Sequence, residues 1–366
     1  MTAPCHQTMP RRMRAAVLHG AEDVRLEDVP VPVPGSGEIV ARVDVASVDY
    51  TDYKVYRRGQ HPMIRIPGLF GHEWAGTIAA VGPGAEARWR PGQRVVAANS
   101  VPCDPESGPA CRQCRRGRQS LCEAIQYNNG AFAPYILVPA RLARCNMHEV
   151  PAGVPLERVV FTEPYACVLH AVRRIPLAPG DVAVVLGAGP MGLFMVNALR
   201  GQHGPDLTVV AVDRLEGRLA VARAMGATHA LNTSHRPSAE ALRQAIGRAT
   251  ADVVIEVIGS VETHREALAL VGRGGTLVSF GGVAPGQTLP VDLGHLHYEE
   301  IGILPIYHHT PRDIAAAVRH LAAGEVPVER LVTGCLPLSH LADALQMIAD
   351  KATLRTLLLP GEGVPA

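Results

Sequence analysis

The sequence predicts a two-domain α/β chain, a β-rich first part followed by a doubly wound parallel sheet. Three observations carry this expectation. At 366 residues the chain exceeds what a single hydrophobic core usually organises, so two domains are expected. Up to about Ala98, short β-rich runs such as Ile39 to Val45 are separated by turn clusters such as Val33-Pro34-Gly35-Ser36-Gly37 and Val81-Gly82-Pro83-Gly84, the pattern of a mostly β domain. From Gly180 onward, apolar strands alternate with helical stretches instead, as they do in a parallel sheet covered on both faces.

In that second part, Val182 to Leu186, Thr208 to Val212, Val253 to Val257 and Thr276 to Phe280 read as strands. Pro190 to Arg200 and Leu219 to Met225 read as helices. The last 60 residues hold two amphipathic helical stretches, around Asp313 to Ala323 and Leu338 to Ala349, with a turn at Gly324 and Pro327 between them. The expected division is 1–155, 156–300 and a C-terminal segment, 301–366.

Composition narrows the function. Hydrophobic residues make up 47% and charged residues 19%, which is ordinary for a folded enzyme. A formal net charge of +1 with 4% aromatics supplies neither the basic footprint nor the stacking surface of a nucleic-acid binder. No apolar run approaches the ~20 residues that cross a bilayer, and Met1 to Arg14 lacks a secretory apolar core. A cytoplasmic protein with a small-molecule substrate, without nucleic-acid or membrane partners, is expected.

Gly187-Ala188-Gly189-Pro190-Met191-Gly192 follows the strand ending at Leu186 and opens a helix at Pro190. The first glycine permits the tight turn, the second lets backbone approach a pyrophosphate, and the third lets helix pack on strand. Proline suits the first helical position, where its missing N–H has no intrahelical partner. Asp213 lies 21 positions after Gly192, where a carboxylate can bind the adenosine ribose and repel a 2′-phosphate. NAD is therefore expected ahead of NADP, although Arg214 and Arg218 lie close enough to receive a phosphate.

Four of the eight cysteines, Cys103, Cys111, Cys114 and Cys122, fall in a C-x7-C-x2-C-x7-C pattern. In a chain without an export signal this reads as a closed, structural tetrathiolate zinc site before it reads as disulfides.

Gly71-His72-Glu73, the cysteine lobe and the later glycine turn occur in an order that resembles the zinc-containing medium-chain dehydrogenases, particularly the polyol branch of sorbitol, threonine and glucose dehydrogenases. The resemblance covers nearly the whole chain. It implies a GroES-like catalytic domain with one catalytic and one structural zinc, a Rossmann domain for the nucleotide, and a C-terminal segment that returns to the catalytic domain. It also implies homo-oligomers.

The resemblance further implies the catalytic ligands. Asp49 stands where the family's first ligand cysteine is expected, and zinc accepts either anion. His72 matches the imidazole ligand, Glu73 the adjacent carboxylate that ligates directly or exchanges with water, and Glu163 the glutamate of the polyol branch. Thr51 matches the hydroxyl that passes the substrate proton toward solvent, while Lys54 takes a place where a relay histidine is often found.

The implied activity is hydride transfer between NAD(P) and a secondary alcohol of a polyol, sugar or cyclitol, giving a ketone. One specific expectation is an aminocyclitol such as 2-deoxy-scyllo-inosamine, in aminoglycoside antibiotic biosynthesis. Two alternatives are a zinc-free quinone or enoyl reductase and a non-catalytic nucleotide-binding protein that has lost its catalytic metal.

Overall fold

The computed structural model describes residues 9–361 apart from Pro62, Pro105 and Ser107. Cys5 and the start of the Met1 to Arg14 stretch lie outside the described residues. The chain divides into two units: 1–163 with 310–323 and 332–366, and 164–309 with 324–331.

In the first unit, β1 (Arg12–Gly20) and β2 (Asp23–Pro30) form an antiparallel pair. β3 (Ile39–Val48) is buried along almost its whole length, which suits its β-branched and small side chains to a central strand. It runs straight into α1 (Tyr50–Arg58), which Asp49 caps. After β4 (Gly68–Leu69), which pairs with β1, β5 (Glu73–Val81) returns antiparallel to β3. This return brings Glu73 opposite Ser47, so the end of β3 and the start of β5 meet beside the helix cap.

β6 (Arg94–Ala97) and the short β7 (Ser100–Val101) lead into the cysteine lobe, which contains α2 (Arg112–Arg115) and ends at β8 (Gln126–Tyr127), paired with β7. β9 (Tyr135–Val138), α3 (Ala140–Cys145), β10 (Met147–Glu149) and α4 (Leu156–Val159) follow, and α5 (Thr162–Val172) carries Glu163 in its first turn.

The second unit is a six-stranded parallel sheet. Its elements are β11 (Val182–Leu186), α6 (Pro190–His203), β12 (Thr208–Asp213), α7 (Glu216–Ala224), β13 (His229–Asn232), α8 (Ser238–Ile246), β14 (Ala251–Glu256), α9 (Val261–Leu270), β15 (Val271–Ser279), α10 (Leu293–Tyr298) and β16 (Gly302–Pro305). The strand order β13-β12-β11-β14-β15-β16 reverses between β11 and β14. A doubly wound sheet opens its ligand crevice at such a switch, beyond the carboxyl ends of the strands. The apolar runs expected as strands are these strands, each bounded within a few residues of its sequence reading.

The two C-terminal helical stretches are α11 (Pro311–Ala323) and α12 (Leu341–Ala349). They flank β17 (Val332–Pro337), and the chain closes with β18 (Arg355–Leu359). β17 and β18 join the first unit's seven-stranded sheet, in the order β10-β6-β5-β3-β18-β17 with β9 also on β3. The pairing of β18 with β3 sets Thr356 opposite Val48, which delivers Arg355 to the neighbourhood of Glu73. Among the described residues no helix is long and apolar enough to cross a membrane.

Candidate functional site

The four cysteines of the lobe come together. The Sγ atoms of Cys103, Cys111, Cys114 and Cys122 all lie within 4.8 Å of one another, with Cys103 and Cys122 3.4 Å apart and Cys111 and Cys122 3.9 Å apart. A tetrahedral zinc site with Zn–S bonds of about 2.3 Å has sulfur–sulfur edges of about 3.8 Å, so the four residues fit that ion. Backbone amides point at the sulfurs: Cys114 and Glu123 N–H donate to Cys111 Sγ, and Cys103 and Ala124 N–H to Cys122 Sγ. The Cys114 and Glu123 amides hold the Cys111 thiol down to about 6, while burial raises Cys114 and Cys122; a bound metal would take its ligands as thiolates.

A second constellation is built on the cap of α1. Asp49 has extended backbone and its Oδ1 accepts from Asp52 N–H at 2.8 Å, while Asp49 N–H donates to Asp52 Oδ2 at 3.0 Å. This reciprocal capping box satisfies two otherwise orphaned amides. It also turns the remaining Asp52 oxygen toward His72, whose Nδ1 lies 3.0 Å from Asp52 Oδ1. Asp52 and His72 are both buried. A ring nitrogen engaged this way fixes the imidazole and leaves Nε2 as the ligating atom.

Glu73, fully buried at the start of β5, places both carboxylate oxygens 3.0 Å from Arg355 Nη1. Arg355 is itself buried, with its guanidinium 5.8 Å from the centre of the Phe161 ring. Glu163, also buried, joins His72 and Glu73 as a set whose ligand atoms lie within 4.8 Å; Asp49, Asp52 and His72 form another. His72 is common to both, whereas Asp49 and Glu163 do not fall within one set.

Four carboxylates, Asp49, Asp52, Glu73 and Glu163, thus face two cationic side chains, and their titration reflects the excess. Burial pushes Glu73 up to about 8 against the pull of Arg355. Burial and the Asp49 charge raise Asp52. For Asp49, burial is outweighed by His72 and Arg355, which hold it below the ordinary carboxylate range. His72 is raised well above its ordinary value, because Asp52 and Asp49 overcome the effect of burial. A buried imidazole among surplus carboxylates is a donor set that fits a divalent cation of the zinc type.

Thr51 sits half-buried in the first turn of α1, and Lys54, one turn on, is half-buried with its ammonium pulled below its ordinary pKa by burial. Two partners escaped the sequence reading. Asp52 follows Asp49 at the capping-box interval and was findable from that spacing. Arg355 is 282 residues from Glu73, and no local pattern marks it.

In the second unit, Gly187 has φ 107°, and a Cβ there would stand 2.7 Å from Ile258 Cγ1. A Cβ on Gly192 would stand 1.8 Å from Gly187 O, so helix α6 packs on the turn only without a side chain. A Cβ on Gly189 would have Arg218 Nη1 as its nearest neighbour, at 3.9 Å. The turn is therefore open at the α6 N-terminus, where Pro190 and Met191 begin the helix. Steric room at the positive end of a helix dipole fits a pyrophosphate.

Asp213 ties this turn to β12: Oδ2 accepts from Ala188 N–H at 2.8 Å, and Oδ1 accepts from Arg214 and Leu215 N–H at 2.7 and 2.9 Å. Each carboxylate oxygen has two acceptor positions, so Oδ2 retains one for a ribose hydroxyl. Arg218 brings its guanidinium beside the same turn.

Comparison with known proteins agrees with this arrangement. Residues 35–151 match the alcohol dehydrogenase GroES-like domain and residues 190–323 the zinc-binding dehydrogenase domain. The chain is 30% identical over 347 residues to sorbitol dehydrogenase of Bacillus subtilis, covering 93% of this chain and 94% of that protein. It is 29% identical to erythritol/L-threitol dehydrogenase of Mycolicibacterium smegmatis, covering 96% and 99%. A zinc-binding dehydrogenase from Sinorhizobium meliloti 1021, solved with bound NADP, superposes with a TM-score of 0.86 at 26% identity, covering 96% of this chain and 100% of that one. With a GroES-like part, a doubly wound parallel sheet and polyol dehydrogenases as relatives over 93% and 96% of its length, the chain belongs to the zinc-containing medium-chain dehydrogenase family, polyol branch, and is an alcohol oxidoreductase.

Proposed function

We propose that the chain oxidises a secondary alcohol of a polyol, sugar or aminocyclitol to a ketone, reversibly, using a catalytic zinc and NAD, with a second zinc in the cysteine lobe. The observation that carries this is the buried His72, oriented by Asp52 and surrounded by Asp49, Glu73 and Glu163. When bound, the metal polarises the alcohol oxygen while the nicotinamide accepts the hydride.

The chain's own residues supply the rest. Asp49, His72 and Glu163 would hold the metal, with Glu73, which shares a ligand set with His72 and Glu163 and is held by Arg355, available as a further ligand or exchangeable base. Thr51 takes the alcohol proton, while Lys54 occupies the place where the family often has a relay histidine. Gly187, Gly189, Pro190, Met191 and Gly192 cradle the pyrophosphate, with Arg218 adding positive charge. Asp213 receives the ribose and disfavours a 2′-phosphate, which supports NAD, although the Sinorhizobium relative holds NADP.

A vicinal-diol substrate is supported by the sorbitol and erythritol/L-threitol dehydrogenases among the relatives. Within that class we propose an aminocyclitol of the 2-deoxy-scyllo-inosamine type, acting in antibiotic assembly. The test is initial-rate NADH and NADPH formation with a panel of polyols, sugars and aminocyclitols. Turnover of an aminocyclitol with NAD well ahead of the other substrates supports the full reading. Turnover confined to linear polyols removes the aminocyclitol, and a preference for NADP removes the role given to Asp213.

A further inference from the structure

Beneath the crevice of the second unit lies a buried polar network that the proposed chemistry does not use. Glu256 ends β14 and is fully buried. Its Oε1 accepts from Ile258 N–H at 2.8 Å, Gly259 N–H at 2.7 Å and Thr263 Oγ1 at 2.8 Å. Its Oε2 lies 3.2 Å from His264 Nδ1. That ring is 8% exposed; its Nδ1 is 2.8 Å from Ser260 O and its Nε2 is 2.8 Å from Ser279 Oγ at the end of β15. With Nδ1–H donating to Ser260 O, Nε2 accepts from the Ser279 hydroxyl.

The order serine, histidine, glutamate is that of a nucleophilic triad, but the site is not built as one. The two amides following Ser279, of Phe280 and Gly281, are already donated to Glu256 O at 3.1 and 2.9 Å, so they are not available to an oxyanion. What the network does is fasten two loops together. Residues 257–260 leave β14, and residues 280–282 leave β15. A Cβ on Gly281 would stand 2.4 Å from Gly259 N and 2.6 Å from Glu256 Oε2, so the loops are in backbone contact.

The first loop also supports the glycine turn, since Val257 Cγ2 would lie 3.1 Å from a Cβ on Gly187 and 3.2 Å from one on Gly192. A dinucleotide whose pyrophosphate lies on that turn and whose adenosine ribose reaches Asp213 on β12 must send its other half toward β14 and β15, across the strand-order switch.

We propose that His264 and Ser279 are positioning residues for the nicotinamide half of the cofactor, acting through the loops 257–260 and 280–282 that they join. This rests on the dinucleotide reading of the glycine turn. Neither residue needs to touch the cofactor. By fixing both loops before binding they spare the complex the entropy of ordering them, a preorganisation effect.

The test compares dissociation constants, by titration calorimetry on the full-length zinc-loaded protein, for NADH and for ADP-ribose, which lacks the nicotinamide. His264→Leu and Ser279→Ala each remove a buried hydrogen bond, so NADH is expected to weaken about tenfold while ADP-ribose stays within about twofold. His264→Gln, which keeps a polar partner for Ser279, and Ser279→Thr are expected to recover most of the NADH affinity. Equal weakening of both ligands, or no change in either, overturns the proposal, and Ser279→Ala supplies the same comparison if His264→Leu does not fold. Wild-type protein that binds neither ligand overturns the dinucleotide reading itself, and the proposal with it.

Discussion

Asp52 joins two functions in one carboxylate: Oδ2 accepts the Asp49 N–H at 3.0 Å and closes the cap of α1, while Oδ1 stands 3.0 Å from His72 Nδ1. Helix geometry and imidazole orientation therefore depend on the same buried side chain.

Asp52→Ala is expected to lower zinc affinity at the His72 site about 10- to 100-fold, the usual effect of losing the partner that orients a metal-bound histidine. Competition with a chromophoric chelator reads this directly. Asp52→Asn, which keeps the cap acceptor, should show a smaller loss. Equal zinc affinity in Asp52→Ala and wild type would remove Asp52 from the site.

Arg355 and Glu73 form an ion pair of which 2% or less of either side chain is exposed. Burial already pushes Glu73 up to about 8, so Arg355→Met leaves a protonated Glu73 that has lost its buried hydrogen bonds, and the fold should be destabilised by about 1–3 kcal/mol in denaturant unfolding at neutral pH. The double variant Arg355→Met with Glu73→Gln should recover much of that loss. A single variant as stable as wild type would mean that the Arg355 contact to Glu73 contributes nothing to the fold.

His148, on β10, has its pKa lowered to about 4 by burial and by the positive Arg88 and Arg319. Its unfolded value is about 6.5, so between these limits the unfolded chain binds the extra proton and stability falls as pH falls. The contribution is complete above about pH 6.5 and is lost progressively down to about pH 4, amounting to as much as about 3 kcal/mol. His148→Leu should flatten this limb when stability is followed by denaturant titration across that range. An unchanged slope would show that His148 titrates alike in the folded and unfolded chain, against the effect of its burial.

We propose that the chain self-associates through the open edge of the second unit's sheet. β16 is the terminal strand; Ile303 on it is 44% exposed, and Leu293 and Tyr298 on α10, which precedes it in the chain, are 76% and 81% exposed. An apolar, unpaired edge invites a second strand. Sedimentation should give a dimer or larger for wild type and a shift toward monomer for Ile303→Lys. A wild-type monomer at tens of micromolar would dismiss the idea.

Local signals explain which features the sequence announced. The cysteine lobe and the glycine turn are read within about twenty residues because their chemistry is fixed by short spacing. The strands β11, β12, β14 and β15 announced themselves because a parallel sheet covered on both faces requires continuous apolar runs. Ser260 and Thr263 close a capping box at the start of α9 that would have marked this helix. Long-range relationships were not legible: β18 adds to β3 and brings Arg355 to Glu73, and Gly324–Leu331 packs with the second unit between two stretches that belong to the first. Asp49 was legible as a departure from the family's cysteine and, from its spacing to Asp52, as a cap of α1, but the turn of Asp52 toward His72 required the fold.

Whether His72 anchors a catalytic metal is decided by zinc content per chain in wild type and in His72→Ala, with NADH formation measured on the same samples. Two zinc ions and turnover are expected for wild type, against one zinc and no turnover for the variant. One zinc in the wild type, or two zincs and full turnover in His72→Ala, would contradict the assignment of His72 to a catalytic zinc.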